Sequence, residues 1–228
     1  MVSSAYYLHV PGLLNPDEVI QIESQMATAV FADGKSTASG AALEVKNNEQ
    51  MSGDTETLTK FQSIVIGAIS RNEIIQAAVM PKIITPPIFS RYKTGMNYGW
   101  HVDSPVMAQQ QLIRSDVSMT LFLSDPHTYK GGELVIQTET GNVAFKLNKG
   151  DAIIYPTTRL HIVNPVENGI RHAAVVWMQC AVRDASKREM LFDLKRILHE
   201  MYQKDKLSTE YLMLQQVYSN LMRRWIEI

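Results

Sequence analysis

The chain has 228 residues, 45% of them hydrophobic, and a formal net charge of -1. That is apolar material enough for one large domain or one domain with an appendage, and the near-neutral charge argues against chain-wide attraction to nucleic acid or anionic lipid. The single cysteine, Cys180, rules out an internal disulfide and reads as a buried thiol in a reducing compartment; without a secretory leader or a run of about 18 apolar residues, a cytoplasmic protein with no membrane span is expected.

Asn15 as an N-cap, Pro16 at the first helical position and Val19, Ile22, Met26 and Val30 at helical spacing predict a helix over 16–31. Residues 32–57 read as loop, with a short strand near "AALEVKN". "TETLTKFQSIVIGAISRN" predicts a second helix with Leu58, Phe61, Ile64, Val65 and Ile69 on one face. From about 83 to 182 the texture changes to short β-branched and aromatic runs separated by turn residues: "IITPPIFSRY", "YGWHVD", "SMTLFLS", "GELVIQT", "NVAFKLN", "DAIIYP", "LHIVNPV" and "RHAAVVWMQCAV". About eight short strands without intervening helices predict a mainly β fold with flanking helices, its core a double-stranded β-helix, or jelly roll. In "RDASKREMLFDLKRILHEMYQ", Met190, Leu191, Leu194, Ile197, Leu198 and Met201 make a helical apolar face, and a last helix is expected over 208–226. The chain thus divides into a jelly-roll domain, 1–182, carrying the N-terminal helices, and a helical extension, 183–228, which packs on the sheet, on itself or against a second copy as a homodimer.

The chemistry concentrates in "YKTGMNYGWHVDSPV". On a strand, positions 101 and 103 face the same way, so His101 and Asp103 form an imidazole–carboxylate pair suited to adjacent positions on a metal. An isolated H-x-D is common by chance, and a third ligand has to come from another strand. His161 in "RLHIVNPV" begins a strand placed to lie opposite; His172 alternates with Arg171 and should face away. Two His and one carboxylate with open positions describe the facial triad of Fe(II) oxygenases, while zinc with a bound water would make a hydrolase on the same ligands. Arg171, on an otherwise apolar strand, favours the first reading, because a buried guanidinium calls for an anion and a carboxylate matches it best. An exposed strand end or a local ion pair is the competing account of Arg171. A cupin-type module that binds metal or a small acid without turnover is the other alternative.

This order (H-x-D, a distal His, then Arg ten residues on) resembles the Fe(II)/2-oxoglutarate-dependent dioxygenases. The segments "RYKTGMNYGWHVD", "RSDVSMTLFLSDPHTYKGGELVI", "GDAIIYPTTRLHIVNPV" and "RHAAVVWMQCAVRD" are similar to the prolyl-4-hydroxylase branch and most of all to the PKHD-type hydroxylases of bacteria and phages. The resemblance implies Fe(II) on His101, Asp103 and His161, the distal carboxylate of 2-oxoglutarate on Arg171 with the Tyr92 phenol beside it, and O2 as the second co-substrate. Ascorbate as a reductant is part of the same implication. The reaction implied is hydroxylation of a C–H bond, of a prolyl residue or of some other peptide or small molecule, with decarboxylation of 2-oxoglutarate to succinate and CO2. Trp177 matches a pocket tryptophan, Tyr98 and Tyr155 are placed to line the mouth or to pack, and Gly131, Gly132 and Glu133 read as turn and strand structure.

Overall fold

A computed structural model of the chain describes residues 7–53, 55–108 and 112–228. After β1 (Leu8–Val10), α1 (Pro16–Met26) starts on a reciprocal cap: the Asn15 side chain accepts from the Glu18 amide, and the Glu18 carboxylate accepts from the Asn15 amide. The helix ends at Met26 rather than 31, because Phe31 is drawn into β2 (Phe31–Asp33) and packs under the Arg91 guanidinium. The expected loop 32–57 is largely structured. It holds a 3-10 turn (Gly34–Thr37), α2 (Ala41–Glu44), β3 (Lys46–Asn47) and β4 (Glu49–Met51). The second expected helix is α3 (Thr55–Arg71), which buries Phe61, Val65, Ala68 and Ile69, and a short α4 (Glu73–Ala78) follows on an Asn72 cap. "IITPPIFSRY" splits into β5 (Pro81–Ile84) and β6 (Ile88–Lys93), since Pro86 and Pro87 have no amide for a ladder.

β7 (Asn97–His101) leads to a hairpin of β8 (Val106–Ala108) and β9 (Leu112–Arg114), whose tip, 109–111, lies outside the described residues. Then come β10 (Val117–Phe122), β11 (Lys130–Gly131), β12 (Leu134–Thr138), β13 (Gly141–Phe145), β14 (Ala152–Pro156), β15 (His161–Val163), β16 (Val166–Asn168) and β17 (Ile170–Cys180). The large sheet runs β1-β14-β10-β17-β6-β4-β2, with β5 also on β17, and the smaller runs β13-β12-β15-β7-β3. Strand pairing is antiparallel throughout both. Tyr92, Phe122, Ile153 and Tyr155 of the large sheet meet Leu134, Ile136 and Val163 of the smaller one in a shared apolar layer, the inside of a jelly roll.

All six residues of β10 are buried, because both faces of this central strand are covered. Val117, Met119 and Leu121 face the helical side, where Ile22 and Met26 of α1 and Phe61, Val65 and Ile69 of α3 complete a second core. Ser118, Thr120 and Phe122 alternate toward the inside, so polar side chains reach the space between the sheets. After β17, Asp184 caps α5 (Ala185–Asp205). Its contact face is narrower than the periodicity predicts: Leu191 and Leu198 are buried, whereas Met190 and Ile197 are each 49% exposed. The last helix, α6 (Thr209–Trp225), buries no residue.

Candidate metal centre

β7 and β15 are neighbours, and their register sets His101 directly opposite His161. β7 stops at His101, so Asp103 arrives on the outgoing chain rather than by the pleat alternation argued from the sequence. Ligand atoms of His101, Asp103 and His161 nonetheless lie within 4.8 Å of one another, with Asp103 Oδ1 3.8 Å from His161 Nε2. Each imidazole is held by its Nδ1, His101 against the Gly99 carbonyl at 2.8 Å and His161 against the Arg159 carbonyl at 3.0 Å. An Nδ1–H donated to a carbonyl leaves the Nε2 lone pair for a metal.

Burial, reinforced by His161, lowers the His101 pKa to about 3, so the ring is neutral and ready to ligate. Burial raises the Asp103 pKa, although His161, Trp177 and Ser118 pull it back. Ser118 and Trp177 are cross-strand partners on β10 and β17, and Tyr155 stands on the other side of Ser118, its ring edge-on to His161 at 5.2 Å. Asp103 Oδ2, Ser118 Oγ and Trp177 Nε1 are all buried, and among the described residues none of them makes a hydrogen bond of full geometry, so the two donors reach the carboxylate only loosely. Two imidazoles, one of them held neutral by burial, beside a desolvated carboxylate fit a divalent cation, and the N/O donor set fits iron.

The interior also holds a second unmet charge. Arg171 is 1% exposed and faces Tyr92 across the β17–β6 ladder, with its guanidinium carbon 5.1 Å from the Tyr92 ring centre and 5.5 Å from that of Phe122. Its Nε and Nη2 are buried with no acceptor of full hydrogen-bond geometry among the described residues, which argues against both the exposed strand end and the local ion pair. The buried Tyr129 hydroxyl lies beside this guanidinium and makes no hydrogen bond of full geometry among the described residues. Gly132, read from sequence as turn structure, also makes room for this arginine. It sits at φ +67°, and a Cβ there would lie 3.1 Å from both Arg171 Cδ and Tyr129 Cε2. His172 points to the opposite face as expected, stacked on Phe31, and burial lowers its pKa to about 4.

Three contributors escape sequence reasoning. Ser118 and Gly132 belong to runs that looked purely structural, and Lys46 belongs to a stretch read as loop. Lys46 is 5% exposed and pairs with Tyr98 across β3 and β7. Tyr98 in turn stacks on His101, ring centres 3.6 Å apart. The only signal for Lys46 is a polar alternation, Lys46, Asn48, Gln50, all three of which are buried.

Comparison with known proteins then bears on this geometry. The chain is 43% identical to the PKHD-type hydroxylase tll1907 of Thermosynechococcus vestitus over 97% of its own length and 99% of that protein. The chain belongs to the PKHD-type hydroxylases. The PKHD-type hydroxylase YbiX of Escherichia coli is 39% identical, over 96% of this chain and 99% of the relative. The family model of the 2OG-Fe(II) oxygenase superfamily matches residues 87–179, and that of the PKHD-type hydroxylase C-terminal domain matches 185–227. Among solved structures, a Pseudomonas putida prolyl-4-hydroxylase shares the fold at TM-score 0.55 and 16% identity, covering 77% of this chain and 92% of that one. A Trichoplax adhaerens prolyl hydroxylase, in complex with a hypoxia-inducible-factor peptide fragment, does so at TM-score 0.56 and 18% identity, covering 83% and 88%. The PKHD-type hydroxylase is therefore a jelly-roll enzyme dependent on Fe(II), 2-oxoglutarate and O2, and no helix among its described residues is long and apolar enough to cross a membrane.

Proposed function

We propose that His101, Asp103 and His161 hold the Fe(II) of this hydroxylase, and that Arg171 with Tyr92 receives the distal carboxylate of 2-oxoglutarate. The observation that carries the reading is the coincidence of two charges in one interior: a desolvated carboxylate beside two imidazoles, and a buried guanidinium with no acid among the described residues. When bound, iron with 2-oxoglutarate supplies O2 activation coupled to decarboxylation to succinate and CO2 and to hydroxylation of a C–H bond. The chain's own residues bind, orient and exclude. The Gly99 and Arg159 carbonyls fix the two imidazoles, and Arg171 sets the direction of the co-substrate by a paired donor geometry. Phe122, Ile153, Tyr155 and Val163 keep water from the enclosed layer. No side chain has to move a proton.

The zinc-hydrolase and binding-module alternatives give way to the family assignment. For the substrate, the peptide complex of the Trichoplax neighbour supports a polypeptide, with a prolyl residue as the first to test. Residues 1–182 form the proposed catalytic domain and 183–228 the helical extension, a division supported by the gap between the two family models at 179 and 185. The exposed Ile197, Leu212, Met213 and Val217 make these helices the proposed homodimer surface, which light scattering on the purified protein checks. Ascorbate as reductant and a cytoplasmic location complete the reading.

Anaerobic titration with Fe(II) and 2-oxoglutarate, followed by the visible charge-transfer band of the chelate, tests the site. Succinate should form on admitting O2. His101→Ala or Asp103→Ala that left both the band and succinate production unchanged would remove the triad assignment.

A further inference from the structure

The segment Lys46–Met51 crosses from one sheet to the other: β3 is the edge of the smaller sheet, beside β7, and β4 belongs to the large sheet, beside β6. Its buried side chains therefore close one flank of the interior that holds the triad. Lys46 is the cationic member. Its Nζ donates to Thr37 Oγ1 at 2.8 Å, and Thr37 Oγ1 lies 3.0 Å from Gln50 Oε1. Among the described residues one hydroxyl is all that this ammonium has as a hydrogen-bond partner, and no carboxylate lies in ion-pair contact with it. It lies over the Tyr98 ring, 5.2 Å from its centre, and Tyr98 continues the stack onto His101. Tyr98 is only half-buried, so the stack is open to whatever enters beside the metal.

A buried ammonium without a counter-carboxylate, like Arg171, fits an anion. Burial lowers its pKa to about 8, against the pull of Asp103 and Asp33, so the site stands ready to gain from an added negative charge. The source of that charge follows from counting carboxylates. 2-Oxoglutarate has two, and the proposed site uses both, one on the metal and the other on Arg171. Of the three reactants, O2 is uncharged, so the molecule that is hydroxylated is the one left to carry a further anion.

We propose that Lys46 binds a carboxylate of the primary substrate, which makes this hydroxylase selective for an acidic residue at or next to the hydroxylated carbon. The proposal rests on the metal and 2-oxoglutarate reading above and deepens it. Lys46 is a specificity residue, and it takes no part in holding iron or the co-substrate.

The test uses the full chain loaded with Mn(II) and saturating 2-oxoglutarate, which does not turn over. Calorimetric titration compares the N-acetyl amides of Asp and Glu with those of Asn and Gln as probes. The wild-type protein should bind the acidic probes at least about tenfold more tightly than their neutral isosteres, a difference of about 1.4 kcal/mol. Lys46→Met should cut that preference to less than about twofold, Lys46→Arg should keep part of it, and both should bind 2-oxoglutarate as the wild type does. Absence of acidic preference in the wild type overturns the proposal without recourse to any variant. So does an acidic probe that displaces 2-oxoglutarate, or a Lys46→Met protein that loses 2-oxoglutarate affinity, since either would put Lys46 at the co-substrate. A wild-type protein that fails to bind Mn(II) and 2-oxoglutarate at all removes the underlying site assignment, and that result is read first.

Discussion

Replacing Arg171 by Met should stabilise the ligand-free protein and at the same time cripple its co-substrate binding. Arg171 is 1% exposed, and its Nε and Nη2 have no acceptor of full geometry among the described residues. A buried donor without a partner costs about 1–3 kcal/mol, so the pair costs about 2–6 kcal/mol. The Tyr92 and Phe122 rings near the guanidinium offset up to about 2 kcal/mol each. These opposed terms nearly cancel, and exchanging a buried charge for a well-packed apolar chain is in general neutral or stabilising by about 1–4 kcal/mol. A gain of about 1 kcal/mol is expected, which for a chain of this size raises Tm by about 2–4 °C. Binding moves the other way. Two charge-assisted hydrogen bonds at about 1.5–3 kcal/mol each are lost, so 2-oxoglutarate affinity should fall at least about a hundredfold. Scanning calorimetry with Mn(II), with and without 2-oxoglutarate, reads both effects. At about 100 times the wild-type Kd the co-substrate adds about 2.7 kcal/mol to the wild type alone, so the ranking of the two proteins should invert. A variant that melts several degrees lower in both conditions, or that keeps 2-oxoglutarate affinity within about threefold, refutes the reasoning.

Asp103→Asn should bind neither Fe(II) nor Mn(II), yet melt higher than the metal-free wild type at neutral pH. Burial raises the Asp103 pKa, so above that value the folded state carries an ionised group it disfavours, which the amide avoids; metal titration and a melting curve on one sample check both halves. His101 gives the opposite slope. Its pKa falls to about 3, so the unfolded chain takes up a proton that the folded one refuses, and stability present above about pH 6.5 is lost as the pH drops toward 3. Urea unfolding of His101→Ala should show a flatter pH dependence across that window than the wild type. Gly132→Ala forces a side chain into positive φ at about 1–2 kcal/mol and presses on Arg171. It should raise the 2-oxoglutarate requirement and lower Tm by about 2–8 °C, while metal affinity measured by titration stays unchanged.

The clustering of His101, Asp103 and His161 and the burial of Arg171 are legible in the sequence because each residue is chemically out of place: two imidazoles, a carboxylate and a guanidinium among β-branched and aromatic neighbours. Tyr92 follows from its partner, since the register places it opposite Arg171. The strands are legible because their turns are marked by Gly, Asn, Asp and Pro. Lys46 is not legible, because its value lies in a partner it lacks, and nothing local in "LEVKNNEQM" shows that Tyr98 and His101 stack beneath it. Gly132 hides for a related reason. A positive φ can be guessed at a "GG" turn, but the arginine stem that passes 39 residues later in the chain cannot. The apolar stripe of α5 overstates its contact, with Met190 and Ile197 left exposed, because periodicity reports what a helix face is able to bury rather than what is there to cover it.

Arg171 and His172 are neighbours in sequence on β17, a strand paired along both edges, and they serve opposite layers of the molecule. A slip of one residue along that strand would carry the guanidinium into the oily helical layer and turn the Phe31-stacked imidazole toward the metal. On the proposed assignment of Arg171, alignment errors in this strand yield a chain that neither packs nor binds its co-substrate, rather than a subtly altered catalyst.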